Sequence, residues 1–371
     1  MTDGPAVLAP ESTLMFPTLE FRPIEVPASI DDPDAADFRR MTGIRNRISR
    51  EISGHDDHAM TPGELLPTFQ PDEHERRLVW LVLRNGETVG RLCLDLPLEP
   101  GSRVAYPVIE LVRDVWGDGI GTRANDLLER TARAEGRSIL QTWVEHPAAP
   151  GELLAPPTGY GGIPRDHAAR FLLRHGYALE QVVRMSAYDL TGPREPLVAH
   201  AERARAAASG YRVRQWELPT PEKYVAGYAW LKSRMSTDAP SAALETDEET
   251  WDAARVRRHD AEYLDGGRRM LVTAAQHVAT GELCAFNELV IGPDPTTASH
   301  QEDTLVSAPH RGHRLGMLVK AEGLLRWREL APQSPRVITY NAEENRPMLD
   351  INEALGFAPR AYEGAWQKVL G

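Results

Sequence analysis

The amino-acid sequence predicts an α/β chain in which one set of strands and helices is laid down twice. Three observations carry this reading. A strand, a helix, a hairpin, a strand, a glycine-rich turn, a helix and a strand succeed one another in the first half, and the order returns in the second. The registers agree as well: Gly90-Arg91-Leu92-Cys93 returns as Gly281-Glu282-Leu283-Cys284, an offset of 191, and Gly121 returns as Gly316, an offset of 195. A period this long means a duplicated domain and not a solenoid of small repeats. Finally, 371 residues of which 42% are hydrophobic suit two domains, each with its own core.

Residues 1–20 are rich in Pro and Ala and read as a loose arm. Phe21 to Val26 is a candidate strand, and Asp34 to Ser53 has the alternation of a surface helix. Leu78 to Leu94 reads as a hairpin, because Asn85-Gly86 lies between two β-rich runs. Val108 to Val112 is a strand leading into Trp116-Gly117-Asp118-Gly119-Ile120-Gly121, then a helix from Thr122 to Glu135 and a strand from Ser138 to Val144. The second set comprises Tyr211 to Trp216 (strand), Glu222 to Met235 and Thr250 to Tyr263 (helices), and a hairpin over Met270 to Ala275 and Thr280 to Leu289. Between the sets, Pro193 and Pro196 introduce an Ala/Arg/Glu-rich run, Ala199 to Ala208, with the composition of a connecting helix. The expected division is therefore 1–192, a linker over 193–209, and 210–371.

A net charge of −12 and a pI near 5.5 speak against nucleic acid or an anionic membrane as partner. They leave room for a local basic pocket, and an acidic surface around it would steer a cationic amine. No apolar run approaches a membrane span and no leader is evident, so a cytoplasmic location is expected. Two cysteines, Cys93 and Cys284, argue against a disulfide framework and read as small buried hydrophobes at corresponding strand positions. No metal site is expected, and the His55-Asp56-Asp57-His58 run reads as a solvated loop.

The informative stretch lies further on. Asp303 to Ser307 has the character of a short buried strand, Pro309 ends regular pairing, and His310-Arg311-Gly312-His313-Arg314-Leu315-Gly316 makes a tight basic turn into a helix. A helix start of this kind exposes unpaired N–H groups and the positive end of the dipole, a seat for phosphate or pyrophosphate. An ordinary strand-to-helix turn would share these features. The downstream segment tells the two apart: Thr339-Tyr340-Asn341-Ala342-Glu343-Glu344-Asn345-Arg346-Pro347-Met348 runs from a strand into a helix ending at Leu355-Gly356-Phe357. Residues 280–371 thus resemble the coenzyme A site of the GCN5-related N-acetyltransferase (GNAT) family, and the whole chain resembles its tandem members.

The resemblance implies two tandem acetyltransferase-fold domains of the α/β class, each a mixed, mostly antiparallel sheet flanked by helices. It implies acetyl-CoA or another acyl-CoA as cosubstrate, and a small-molecule or peptide amine as acceptor. Pantetheine would pair along Leu305, Val306 and Ser307. Pyrophosphate would lie on Arg311, Gly312, His313, Arg314, Leu315 and Gly316, and Asn341 and Asn345 would help hold the coenzyme. Glu288, Glu302 and Asp303 are the candidate general bases, because a carboxylate beside the thioester can take the proton of the attacking amine. The family's usual acid, a tyrosine five positions before the Phe of the Gly-Phe pair, is replaced by Asn352 in the second copy and Leu172 in the first. Tyr340 or Tyr362 are possible substitutes, and unaided departure of the thiolate is another route.

The copies differ. Trp116 stands where the family's turn carries Gln or Arg, a candidate plug for a vacated pocket. The first copy has 55 positions between Gly121 and Gly176, where the second has 40 between Gly316 and Gly356, and its extra residues form a Gly- and Pro-rich loop in place of the asparagines. On these grounds the first domain is expected to be degenerate and the second catalytic. The competing reading is a catalytically silent acyl-CoA binding or scaffolding protein. Dinucleotide binding is excluded by the absence of Gly-x-Gly-x-x-Gly spacing. The acceptor-side segments, Asp34–Gln70 and Glu222–Ala261, carry no motif.

Overall fold

The computed structural model describes residues 18–148, 150–238 and 241–371; all but the last three residues of the expected amino-terminal arm lie outside them. The first half contains β1 (Leu19–Pro23), α1 (Ala36–Ser53), α2 (Pro62–Leu65), β2 (Glu75–Arg84), β3 (Glu87–Pro97) and β4 (Val104–Leu111). It continues with α3 (Ile120–Ala134), β5 (Ile139–His146), β6 (Leu153–Leu154), β7 (Ile163–Pro164), α4 (His167–Arg174) and β8 (Ala178–Asp189). The segment expected to link the halves forms α5 (Glu195–Ala207). Then come β9 (Tyr211–Glu217), α6 (Glu222–Asp238), α7 (Ala253–Asp265), β10 (Arg269–His277), β11 (Leu283–Ile291) and β12 (Ser299–Val306). The chain ends with α8 (Leu315–Leu330), β13 (Arg336–Ala342), α9 (Arg346–Leu355) and β14 (Ala358–Val369).

Local chemistry sets several boundaries. Asn85 and Gly86 both take positive φ, 52° and 83°, which suits the two-residue turn of the β2–β3 hairpin. Thr61 and Glu64 form a reciprocal capping box at the start of α2. Asp166 and Asp252 cap α4 and α7 with their carboxylates. The connecting segment is ordered by packing: Leu197 and Ala201 of α5 share a core with Ala321, Leu324 and Leu325 of α8, and Arg205 pairs with Glu322.

Twelve strands form one sheet in the order β1-β2-β3-β4-β5-β14-β8-β13-β12-β11-β10-β9, and β6 and β7 make a small separate ribbon. The pairs β4–β5 and β12–β13 are parallel and the other neighbours antiparallel, so the sheet is mixed and mostly antiparallel. The order reveals an exchange. The last strand of the chain, β14, enters between β5 and β8 of the first half, while β8 lies between β14 and β13. Trp366 of β14 is fully buried in a core with Ile163, Leu179, Val182 and Leu140 of the first half. Each half is therefore built with a strand of the other. Among the described residues no helix is long and apolar enough to cross a membrane.

Candidate active site

The two parallel pairs are short, and that shapes the site. β4 and β5 pair only through Val104–Ile139 and Ala105–Leu140, and β12 and β13 only through Ser299–Val337 and His300–Ile338. Beyond those residues the strands splay, leaving backbone groups of β4 and β12 without a neighbouring strand. Val112 donates its N–H to Val89 on β3, so by strand alternation Ile109 and Leu111 direct their N–H groups into the β4–β5 gap. Pro107, the next residue facing the gap, has no N–H to offer.

The turns after β4 and β12 are alike. Gly117 and Gly312 share a φ of 89°, while Gly119 at 78° is matched by Arg314 at 56°. An arginine thus accepts a left-handed conformation where the first copy uses glycine. Trp116 and Arg311 also correspond. The indole Nε1 of Trp116 donates to the Leu111 carbonyl (2.9 Å), and Arg311 Nε donates to the equivalent Val306 carbonyl (3.2 Å). Trp116 therefore does in the first turn the backbone work that Arg311 does in the second. It stacks on His167 with ring centroids 4.5 Å apart and walls the cavity beneath it without plugging it.

That cavity, about 690 Å³, is bounded by the splayed parts of β4 and β5, the turn from Val115 to Gly121, α4 and the inner face of α1. Leu172 lines it, as does Asn125 on α3. At its far end four titratable side chains come together: His58 from the α1–α2 loop, Glu145 from β5, Tyr340 from β13 and Glu363 from β14. Two belong to each half. Glu145 and Glu363 are directly opposed across β5 and β14, and neither carboxylate makes a hydrogen bond or ion pair among the described residues. Burial and the Glu145 charge raise Glu363 to about 7, and burial raises Glu145 too. Burial and then the Glu363 and Glu145 charges keep Tyr340 protonated, and its hydroxyl lies 3.2 Å from His58 Nε2. Burial and then His300 and His55 push His58 down to about 4, so it is neutral at pH 7. The His55–His58 run is thus no solvated loop: Asp57 pairs with Arg336 at 2.7 Å and accepts from His300 Nε2 through its carbonyl at 3.0 Å.

The second turn has different surroundings. Residues 311–316 line neither this cavity nor the acidic one beside β11 and β12. Arg311, Gly312, His313 and Arg314 face solvent, Leu315 is buried, and Gly316 lies under Ile351, whose Cδ1 is 2.9 Å from where a Cβ would stand. Ser307 spends its N–H on Cys284 (2.9 Å), leaving Val306, between Leu305 and Ser307, as the residue facing the gap. Asn345 sits at the start of α9. Asn341 accepts from Asn352 Nδ2 (2.7 Å), while Asn352 Oδ1 accepts from the buried Lys320 (2.7 Å), so these side chains tie α8, α9 and β13 together. Gln301 bridges to Thr339 across the splay (2.8 Å).

Glu288, Glu302 and Asp303 do converge. Asn287 pairs with Thr304 and Leu289 with Gln301, so Glu302 and Asp303 bulge opposite the single residue Glu288. All three line a cavity of about 520 Å³ with Lys232 and with acidic residues of both halves, among them Asp72, Glu75, Glu99 and Glu262. Glu288 is fully buried and engaged by the Tyr228 hydroxyl and by Lys232 (3.3 Å); Asp303 holds Lys232 at 2.6 Å. Burial opposes the Lys232 charge, but Asp303 and Glu288 outweigh it and keep the amine protonated. Glu302 has no such partner. Desolvation by the cavity walls, then the Glu288 and Asp303 charges, raise it to about 7, yet its surface is open to solvent and can meet a ligand.

The residues missed from sequence are Glu145, Glu363 and His58. Nothing in the spacing joins residue 145 to residue 363; only the strand exchange does.

No protein-family model and no curated protein matches the sequence. Among solved structures the chain is similar to a tandem GNAT protein from the clavulanic acid biosynthesis pathway, solved without acetyl-CoA, at 24% identity, covering 95% of this chain and 99% of that one, with a TM-score of 0.72. It is also similar to a GCN5-related N-acetyltransferase from Sphaerobacter thermophilus, at 14% identity, 95% of both chains and a TM-score of 0.59. A glucosamine N-acetyltransferase region of a fungal multi-domain β-N-acetylglucosaminidase gives 13% identity, 95% of this chain, 38% of that one and a TM-score of 0.58. The fold is that of the tandem GCN5-related N-acetyltransferases.

Proposed function

We propose that the protein is an acyl-coenzyme A-dependent N-acyltransferase, moving an acetyl or other short acyl group to an amine of a small molecule or peptide, with the coenzyme held between β4 and β5. The observation that carries this reading is the 690 Å³ slot, which runs from the α3 N-terminus to a group of unpaired carboxylates. The sequence alone favoured the second half; the shape of the molecule favours the first, because the slot opens against the first turn. Pyrophosphate would take the first-turn N–H groups of α3, pantetheine would pair with Ile109 and Leu111, and the thioester would reach the far end of the slot. There Glu363, with Glu145 opposite, anchors a cationic amine and takes its proton. The amine nitrogen bonds to the thioester carbon and the carbon–sulfur bond breaks. The departing thiolate is protonated by Tyr340, backed by His58. This arrangement supplies an acid where Leu172 and Asn352 offer none.

A second reading, transfer in the second half with Glu302 as base, is favoured by the bulge that sets Glu302 in the acidic cavity. Thiol release from acetyl-CoA against a panel of primary amines separates the two. Glu363→Gln is expected to lower kcat/KM by about 100-fold or more, in the range of a lost general base, with Glu302→Gln near wild type. The reverse pattern would move the site to the second half. Binding with no thiol release for any amine would leave a coenzyme-binding protein and contradict the transferase reading.

A further inference from the structure

We infer that Glu282, Cys284 and His310 form a binding site for a divalent transition metal of the zinc class, at the base of the second turn and separate from the coenzyme slot. One ligand atom of each lies within 4.8 Å of the others. Zinc bonds of about 2.0–2.3 Å place tetrahedral donors roughly 3.3–3.6 Å apart, so the His310 and Glu282 atoms, already 3.0 Å from each other, must part slightly, and the widest separation, at most 4.8 Å, must close by about an ångström. Two of them can move. Glu282 is half exposed and precedes β11, and His310 stands in the turn, whereas Cys284 is fixed on the strand. Thiolate, imidazole and carboxylate together suit zinc, which takes all three and keeps water in a fourth position.

The histidine is already oriented for this task. His310 Nε2 lies 3.0 Å from Glu282 Oε1, and Nδ1 lies 2.8 Å from the Tyr211 hydroxyl. With Nε2 on the ion, Nδ1–H donates to the Tyr211 oxygen, the outer-shell contact that fixes a ligating imidazole. As the metal–sulfur bond forms, the Cys284 thiol proton passes to solvent.

The chain carries its own control. The strand register sets an offset of 195 here in place of the 191 expected from matching Gly90 to Gly281, so Cys93 and Cys284 do not correspond. The positions equivalent to Glu282, Cys284 and His310 in the first copy are Glu87, Val89 and Val115, and that copy keeps the carboxylate but lacks the thiol and the imidazole. A bound ion would tie the start of β11 to the turn before Arg311 and stiffen it. Coordination would thus give the second turn a structural role while the first turn serves the coenzyme.

Full-length protein, stripped with chelator, would be titrated with Co²⁺ and then Zn²⁺, monitoring the thiolate-to-cobalt charge-transfer band and the metal retained after gel filtration. One ion per chain is expected, displaced by Zn²⁺. His310→Ala, with its fold checked by circular dichroism and thermal melting, should weaken binding at least tenfold; Tyr211→Phe should cost about tenfold; Cys93→Ser should change nothing. Absence of the band, or a band that survives His310→Ala and Cys284→Ser, would overturn the site.

Discussion

At the scale of single residues, equivalent positions keep a job while changing identity. Trp116 and Arg311 cap the same strand carbonyl with different nitrogens. Lys320 and Asn125 correspond as well, but Lys320 is fully buried with Asn352 as its hydrogen-bond partner, and burial pushes it down to about 7. Its pKa is lower in the folded than in the unfolded chain, so the folded state binds fewer protons between about pH 7 and 10.5. Stability therefore rises with pH across that window, by at most about 1.4 kcal/mol per pH unit, and is lost as pH falls toward 7. Urea denaturation at several pH values should show this slope in wild type and a flat profile in Lys320→Met; a slope unchanged in the variant would contradict the assignment. Glu363, raised to about 7, makes the converse prediction for catalysis. As a base it must be ionised, so kcat/KM should climb as pH rises through about 7 and level off above it, and the limb should vanish in Glu363→Gln. The turn residues at 311–316 were legible in the sequence because a motif is local. Glu145, Glu363 and His58 were not, because their proximity depends on pairing between distant segments.

At the scale of elements, strand and helix identities come from periodicity and caps, and the sequence placed most of them within a few residues. Asn85-Gly86 marked its hairpin, and the Ala-rich run after Pro196 marked α5. The placement of β14 was invisible. Its pattern is that of any half-buried strand, and nothing local says that its partners are β5 and β8. Its energetic weight is nonetheless large. Trp366 is fully buried in the first-half core, so Trp366→Ala should cost about 3–5 kcal/mol in chemical denaturation. A cost below about 1 kcal/mol would mean that β14 is not integral to that core.

At the scale of the whole molecule, the exchange makes the halves interdependent and the site composite. Tyr340 and Glu363 reach the first half's slot from strands of the second, while the His55–His58 loop crosses the other way to meet His300 and Arg336. A fragment of residues 1–192 lacks β14, exposes the edges of β5 and β8, and should neither fold cooperatively nor bind coenzyme alone; added to 210–371, it should recover both. Placement of the coenzyme in the first half is tested most directly by calorimetric titration with acetyl-CoA of the wild-type protein, Gly121→Asp and Gly316→Asp. Both glycines lie in a first helical turn, where an acidic residue is compatible with the dipole but repels a bound pyrophosphate. One mole bound per chain is expected, lost in Gly121→Asp and retained in Gly316→Asp. Loss confined to Gly316→Asp would place the coenzyme in the second half and contradict a first-half site.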